Sequence, residues 1–599
     1  MRHRDQQSRA SRRNQSEASY DEASRARYRV RASRPGGTGE GGSDHGLTLS
    51  RRVFVGLMGV MAARLAWLQI IDAPNLAAGA REQTTNKVTL HAKRGTIYDR
   101  NGNALAVSVE CQTIYANPKE VSDPSGVSNI LMDLLGGEKD DYMDLLTQDT
   151  TFIYIERQVD QEIADRISDR LRSAGLVGVY FLSDMKRVYP YGNVGSQIVG
   201  FVGVDGEGLS GLELYYDDVL TGVDGEMLFE TGRDGTPVAG GATEVIEAVD
   251  GTDLVLGLDV DIQENAERII EEAVKTYSAT SGSIMISDPR TGEIIAACST
   301  PLADLSNLTD YEALNLKLVS STREPGSIFK VITTSIGIEN GLFDKDTVYY
   351  VPARVLVGSH YVTDVDYRSH DMEMSVTEMM RRSSNTAMAM LAQDVIGAEA
   401  FSEGIARFGI GQKTGIDFPG EVEGLVRTPD EYDGATLGSM GFGQGLAFPM
   451  VQIVRAYGAV ANGGKLLTPH FVTHRGEEEV KWPKGKTVIS EDTREQEIEM
   501  MRIVMTEGTG TNANVDGYEF VGKTGTGEQA AETGGYLENS FVSSVCGFAN
   551  ADDPQILVYV GLDGTPYHSS ESSAHAFHDI AQQACTILGI QPSTNVSGE

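Results

Sequence analysis

The 599-residue chain has little of what metal and redox chemistry use. Its four cysteines, Cys111, Cys298, Cys546 and Cys585, show neither a metal-ligand spacing nor a paired framework and read as free core thiols. Its ten histidines include no His-x-His and no His-Glu-x-x-His, so zinc chemistry has no support and no metal site is expected. Gly441-Phe442-Gly443-Gln444-Gly445 has the glycines of a phosphate loop without its lysine, which leaves nucleotide binding unsupported. Positive charge is scarce too: 50 Lys and Arg stand against 86 Asp and Glu, a net −36. That balance describes a solvated acidic exterior and gives no reason to expect a nucleic-acid partner. What is present is ample. A hydrophobic fraction of 40% permits a large core, and the length suggests about three or four units.

The charge is unevenly spread. Residues 1–52 hold twelve Arg against six acidic residues, so the remainder carries about −42. The first 46 residues are rich in Arg, Ser and Gly, and 1–52 reads as a disordered basic tail, with an RNA-binding arm as the alternative. Val53 to Ile71 is a mostly apolar run, about 28 Å long as a helix and enough to span a bilayer. Arg51 and Arg52 on its N-terminal side place residues 1–52 in the cytoplasm and the chain after the run outside, a single-pass arrangement. Arg64 interrupts the run near its outer end, where its stem allows it to snorkel. A signal peptide cut near Ala78-Gly79-Ala80, or a twin-arginine signal at Ser50-Arg51-Arg52-Val53-Phe54, is the competing view.

Residues 80–250 alternate short β-like runs with helical patterns. Lys93 to Gly102 and Ala104 to Val109 predict a hairpin around an Asn-Gly turn. Leu254 to Asp259 opens a second domain, 251–590, with a helix from about Ile262 to Thr276. Strands at Gly282–Ser287 and Glu293–Cys298 come next, joined by a turn-rich Asp288–Gly292. Ser375-Val376-Thr377-Glu378 predicts a capping box, and His575 to Leu588 the last helix.

The chemistry centres on Glu324-Pro325-Gly326-Ser327-Ile328-Phe329-Lys330. Pro325-Gly326 predicts a turn into a helix from about Ser327 to Glu339, which puts Ser327 and Lys330 on one face. A partly desolvated lysine can take the serine's proton, and the helix N-terminus favours the negative oxygen that results. Ser183-Asp184-Met185-Lys186 has the same spacing, so company decides. Ser383-Ser384-Asn385 comes 56 residues after Ser327, and Lys523-Thr524-Gly525-Thr526 another 140 residues later in a strand-like run. Ser-x-x-Lys, Ser-Asp-Asn and Lys-Thr-Gly form the joint signature of class A β-lactamases and penicillin-binding proteins, and the middle element here is its Ser-x-Asn variant. Lys413-Thr414-Gly415 and Ser593-Thr594-Asn595 repeat fragments of it out of context.

From about residue 50 to 590 the chain resembles class B penicillin-binding proteins. The resemblance rests on the trio and on four further stretches: Arg64–Gln69, Arg94-Gly95-Thr96-Ile97-Tyr98-Asp99-Arg100-Asn101-Gly102, Arg187-Val188-Tyr189-Pro190 and Gly208-Leu209-Ser210-Gly211-Leu212-Glu213. It implies an α+β architecture. A transpeptidase domain of the serine β-lactamase type, with an antiparallel sheet and an all-helical subdomain, comes after a pedestal and one transmembrane helix. It also implies roles. Ser327 is the acylated nucleophile and Lys330 its base. Ser383 relays a proton to the leaving amine, and Asn385 holds the substrate amide. Lys523 supplies positive charge. Thr524 and Thr526, in the Lys523-Thr524-Gly525-Thr526 strand, bind the substrate carboxylate. The Ser327 and Thr526 N–H groups form the oxyanion hole.

The implied reaction cross-links peptidoglycan: a D-Ala-D-Ala stem peptide acylates Ser327, D-alanine leaves, and an acceptor amine forms the cross-link. β-Lactams would trap the same serine, and no cofactor is needed. Overall length resembles the cell-division type, which implies a septal role beside a polytopic glycan polymerase and other division proteins. The alternatives are an elongation-type transpeptidase, a membrane-anchored β-lactamase and a non-catalytic division scaffold. A bifunctional glycosyltransferase lacks room between Asn86 and Gly251. Gly527-Glu528 after Thr526, and a Ser-rich Tyr567 to His575 where relatives are usually Gly-rich, depart from the pattern.

Overall fold

The computed structural model describes residues 44–72, 85–230, 243–305, 307–366, 368–530 and 535–593. Residues 1–43 of the basic tail, Ala78-Gly79-Ala80 and Thr594-Asn595 lie outside the described residues. Near the N-terminus a helix over Asp44–Ala66 continues as a π-turn over Trp67–Ile71. Its Arg51–Ile71 stretch is long and apolar enough to cross a membrane. The helix therefore starts before the expected span and carries Arg51 and Arg52 within it.

From Asn86 onward the chain forms one compact unit. The predicted hairpin is present: Ile97–Tyr98 pairs antiparallel with the start of Ala104–Ala116. The wholly buried Asp99 closes its turn, with Oδ1 accepting the Asn101 and Asn103 N–H groups at 2.8 Å each. Ala104–Ala116 also pairs with Ile153–Asp160 and Val179–Val188, and one face of this sheet buries Ile114 against Val127, Leu131 and Ile167.

The three pedestal stretches that carry the resemblance meet on one carboxylate. Glu213 is wholly buried and accepts from Arg94 Nε at 2.6 Å and from Arg187 Nε at 2.7 Å. Arg94 Nη1 reaches on to Asp217 at 2.7 Å. A dry ion pair is of uncertain worth as a whole, but each member strongly needs the others.

A single sheet carries the pedestal into the second domain. Leu254–Leu256 lies parallel to Ile97–Tyr98 on one side and antiparallel to Val472–Arg475 on the other. Buried Asp417 ties the same junction, accepting from Tyr216 Oη at 2.9 Å and from the Phe471 and Val472 N–H groups. Burial pushes its carboxyl up to about 6.

The second domain is built on a five-stranded antiparallel sheet, β1 (Ser281–Ser287), β2 (Ile294–Ser299), β3 (Phe520–Ala530), β4 (Tyr536–Ala549) and β5 (Leu557–Thr565), in the order β2-β1-β5-β4-β3. Both faces are buried, so Ile284-Met285-Ile286 of β1 and Ile294 to Cys298 of β2 are unbroken apolar runs rather than alternating ones. The helices around this sheet and the site include α1 (Val260–Thr276), α2 (Lys330–Glu339), α3 (Val376–Arg381), α4 (Asn385–Met390), α5 (Val451–Ala461), α6 (Glu491–Glu507) and α7 (Ser573–Ile587). α1 and α7 cover Ile284, Ile286, Val558 and Val560 on one face. On the other, Met285, Cys546 and Tyr559 join the core that holds α2 and α5. Only half of the expected capping box forms: Ser375 Oγ accepts the Glu378 N–H, but the Glu378 carboxylate turns to Arg381.

One core residue is out of character. Glu497 on α6 is wholly buried beside Thr334 and Ser335 of α2. Burial, only partly offset by those hydroxyls, pushes its carboxyl up to about 8. The folded state thus holds a proton that the unfolded state releases near the ordinary glutamate value. Stability is full below that value and falls as pH rises toward about 8. Glu497→Gln is expected to flatten this decline in urea melts taken across that range. Glu213→Gln, which strands two buried guanidinium groups, is expected to lower unfolding free energy by about 3–5 kcal/mol in the same assay.

Candidate active site

Pro325 and Gly326 turn the chain into a 3-10 turn, Gly326–Phe329, which runs into α2. Gly326 sits at φ +61°, a left-handed conformation that costs a side-chain-bearing residue energy. The glycine-rich stretch that fails as a phosphate loop has its use here. Gly326 N donates to Gly443 O at 3.0 Å, and Gly443 lies at φ +86° where a Cβ would meet Gly326 O at 2.1 Å. Tyr457 of α5 fixes the same turn by donating Oη to Ile328 O at 2.7 Å. Ser327 therefore sits, buried, on a turn clamped from behind.

One helical turn on, Lys330 is wholly buried. Its Nζ donates to Ser383 O at 2.6 Å, to Asn385 Oδ1 at 2.7 Å and to Ser383 Oγ at 3.2 Å. From the opposite side Lys523 of β3, equally buried, donates Nζ to Ser383 Oγ at 3.0 Å. One hydroxyl thus lies between two ammonium groups. Ser383 reaches that place with φ +58°, unusual for a serine and worth roughly 1–3 kcal/mol of strain. Burial, and then the neighbouring Lys523, push Lys330 well below its ordinary value, while Asp364 acts the other way. Burial alone brings Lys523 down to about 7. Like charges in a dry site cannot both persist, so near neutral pH the pair is equipped to hold and pass a proton.

β3 forms the opposite wall. Gly525 pairs with Ser544, and a Cβ there would meet Ser544 Oγ at 2.7 Å and Ile328 N at 3.1 Å. Glycine lets the strand lie against the Ser327 turn. Thr524 Oγ1 shares a short hydrogen bond with Thr509 Oγ1, and Thr526 Oγ1 bonds Ser569 Oγ at 3.0 Å while accepting the Ser569 N–H at 3.1 Å. The Ser-rich stretch therefore forms the rim beside Thr526, which the sequence left undetermined.

The structure brings Lys330, Ser383, Asn385 and Lys523 into one hydrogen-bonded group, with Ser327 one turn from Lys330 and Gly525 packed against its turn. The decoys fall elsewhere. Ser183 and Lys186 lie on strand Val179–Val188, where i and i+3 face opposite ways, and Lys186 pairs with Asp160. Lys413-Thr414-Gly415 is a loop whose Thr414 is held by Glu421 at 2.6 Å. Sequence reasoning missed Asp364 and Tyr457, and it assigned no individual role to Thr509 or to Ser569 of the Ser-rich stretch. No local spacing marks them, because each meets the site across the fold. Gly443→Ala, which drives a methyl into Gly326 O, is expected to slow labelling of the protein by a fluorescent penicillin by about a hundredfold in a stopped-flow measurement.

Comparison with known proteins agrees with this geometry. Residues 282–582 match the family model for the penicillin-binding protein transpeptidase domain, and residues 89–256 match that for the penicillin-binding protein dimerisation domain. Stage V sporulation protein D of Bacillus subtilis (strain 168) is 32% identical, over 91% of this chain and 87% of its own. Penicillin-binding protein PbpB of Mycobacterium tuberculosis (strain ATCC 25618 / H37Rv) is 31% identical, over 88% and 83%. Among solved structures, penicillin-binding protein 3 of Mycobacterium tuberculosis complexed with aztreonam superposes with a TM-score of 0.65 at 28% identity, covering 85% of this chain and 99% of that one. The chain belongs to the class B penicillin-binding proteins, with a dimerisation-type domain ahead of a transpeptidase domain.

Proposed function

We propose that the chain is a membrane-anchored peptidoglycan D,D-transpeptidase, with Ser327 as nucleophile, acting in septal wall synthesis. The observation that carries this reading is the buried Lys330–Ser383–Lys523 array, in which one hydroxyl bridges two desolvated lysines beside the nucleophile turn. Neutral Lys330 takes the proton of Ser327 Oγ as the oxygen attacks the carbonyl of the penultimate D-alanine. The Ser327 and Thr526 N–H groups stabilise the tetrahedral oxyanion; losing one such donor typically costs about 3–4 kcal/mol of barrier. As the intermediate collapses the C–N bond breaks, and the proton passes from Lys330 through Ser383 to the leaving D-alanine amine. The acceptor amine then attacks the ester carbonyl, the C–O bond to Ser327 breaks, and the proton returns to Oγ.

The remaining groups bind. Asn385 Oδ1 accepts from Lys330, which leaves its Nδ2 to donate to a substrate amide carbonyl. Thr524 and Thr526 hydroxyls take the terminal carboxylate, with Lys523 adding charge when protonated. A β-lactam enters by the same path and leaves a slowly hydrolysed acyl-enzyme. The Arg51–Ile71 helix, with the basic residues before it, supports an anchor with a cytoplasmic N-terminus and an outer catalytic domain. The septal assignment is supported by overall length and motif spacing, and it implies contacts with a polytopic glycan polymerase and other division proteins.

Full-length protein in detergent is expected to bind a fluorescent penicillin one-to-one and stably, and Ser327→Ala to bind none. Rapid release of hydrolysed drug would move the assignment to a β-lactamase, and no labelling of folded wild type to a scaffold. A fluorescent fusion confined to the side wall would overturn the septal role.

A further inference from the structure

The loop that presents Ser383 and Asn385 alternates its contacts. Ser383 and Asn385 face the lysines, while Ser384 and Thr386 face the other way, onto Asp364. Asp364 is buried, and Oδ1 accepts from Ser384 Oγ at 2.9 Å and from Thr386 N at 2.9 Å. Oδ2 accepts from Arg368 Nε at 2.8 Å. Arg368 is buried with it and donates further to Val351 O at 2.9 Å and Thr386 Oγ1 at 2.8 Å. Burial alone would raise the Asp364 carboxyl, but the Thr386 N–H and the guanidinium outweigh it and hold it below the ordinary value, so it stays charged.

We propose that Asp364, with Arg368 as its counterion, is a positioning residue for acyl transfer: it pins the Ser383–Asn385 loop against Lys330 and supplies the buried negative charge against which the two lysines are balanced. The proposal rests on the transpeptidase reading of the site and deepens it. The hydrogen bonds fix where Ser383 Oγ lies, and the carboxylate opposes the pull of burial and of Lys523 on Lys330. The other charge that acts on Lys330 is Lys523, from β3. Glu497, from α6, lies beside Thr334 and Ser335 further along α2 and keeps its proton up to about pH 8. Arg382, beside Ser383, is turned outward to Asp366 and Glu378.

The two members of the pair act with opposite sign, which separates charge balance from mere support. Removing the carboxylate favours neutral Lys330. Removing the guanidinium leaves Asp364 less compensated and favours the ammonium. The test is the second-order rate constant for acylation of the full-length protein by a fluorescent penicillin, measured from pH 5 to 9 in wild type, Asp364→Asn, Arg368→Gln and Ser384→Ala. The acidic limb is expected to move down by about one pH unit in Asp364→Asn and up in Arg368→Gln. Ser384→Ala, which keeps both charges, is expected to lower the rate with the limb in place. Glu497 is common to all four proteins, so its titration cancels. Limbs that coincide with wild type in both charge variants, with rates merely lowered, would overturn the proposal. If Asp364→Asn is recovered unfolded, Arg368→Gln decides by the direction of its limb. Wild type that is unlabelled at every pH would instead remove the transpeptidase reading itself.

Discussion

Two lysines are dried around one serine hydroxyl, and most of the fold can be read as the means of keeping them there. Removing an ammonium group from water is expensive, and placing a second beside it more so. The array survives because both lysines are hydrogen-bonded inside it: Lys330 donates to Ser383 O, Ser383 Oγ and Asn385 Oδ1, and Lys523 to Ser383 Oγ and Thr524 O. It is also relieved by proton loss, since a neutral lysine costs far less to bury. The penalty is thus converted into basicity near neutral pH, where ordinary lysines have none.

Positions come from backbone contacts that tolerate no side chain. Gly443 lies closer to Gly326 than any Cβ allows, and Gly525 packs so near Ile328 and Ser544 that a Cβ there would crowd both. Tyr457 and the register of β3 with β4 then hold them. The pedestal applies the same logic to a different end. Glu213 gathers Arg94 and Arg187 in a dry cluster, and the Leu254–Leu256 strand makes the pedestal and the catalytic domain share one sheet.

Much of this was legible in the sequence. Ser327, Lys330, Ser383, Asn385 and Lys523 are set by local patterns, a turn into a helix, a loop between helices and a strand, and local patterns are what periodicity and turn residues report. Helices α1 and α7 fall where the patterns over Ile262 to Thr276 and His575 to Leu588 put them, and β1, β2 and β3 where the runs at Gly282, Glu293 and Lys523 put them. What stayed hidden depends on contacts between segments far apart in the chain. Nothing near Asp364 announces that it faces Ser384 and Thr386, and nothing in α6 distinguishes Glu497 from the exposed acids around it. The union of Leu254–Leu256 with Val472–Arg475 joins strands more than two hundred residues apart, beyond the reach of any spacing rule.

The motifs themselves look different once their neighbours are known. A serine at Ser383 is asked to adopt a left-handed backbone, which a loop left to itself would abandon. It holds because Ser384, the next residue, and Thr386 beyond Asn385 are bound to Asp364, so the strained residue leads directly into anchored positions of the loop. The same logic covers the departure beside Thr526. In the Ser-rich stretch Ser569 Oγ accepts from Thr526 Oγ1 and the Ser569 N–H donates back to it, so that rim is held by side-chain hydrogen bonds and not by backbone approach alone. Variation at the rim can therefore change what enters the site while leaving the lysine pair untouched, because no hydrogen bond of the array passes through Thr526 or Ser569.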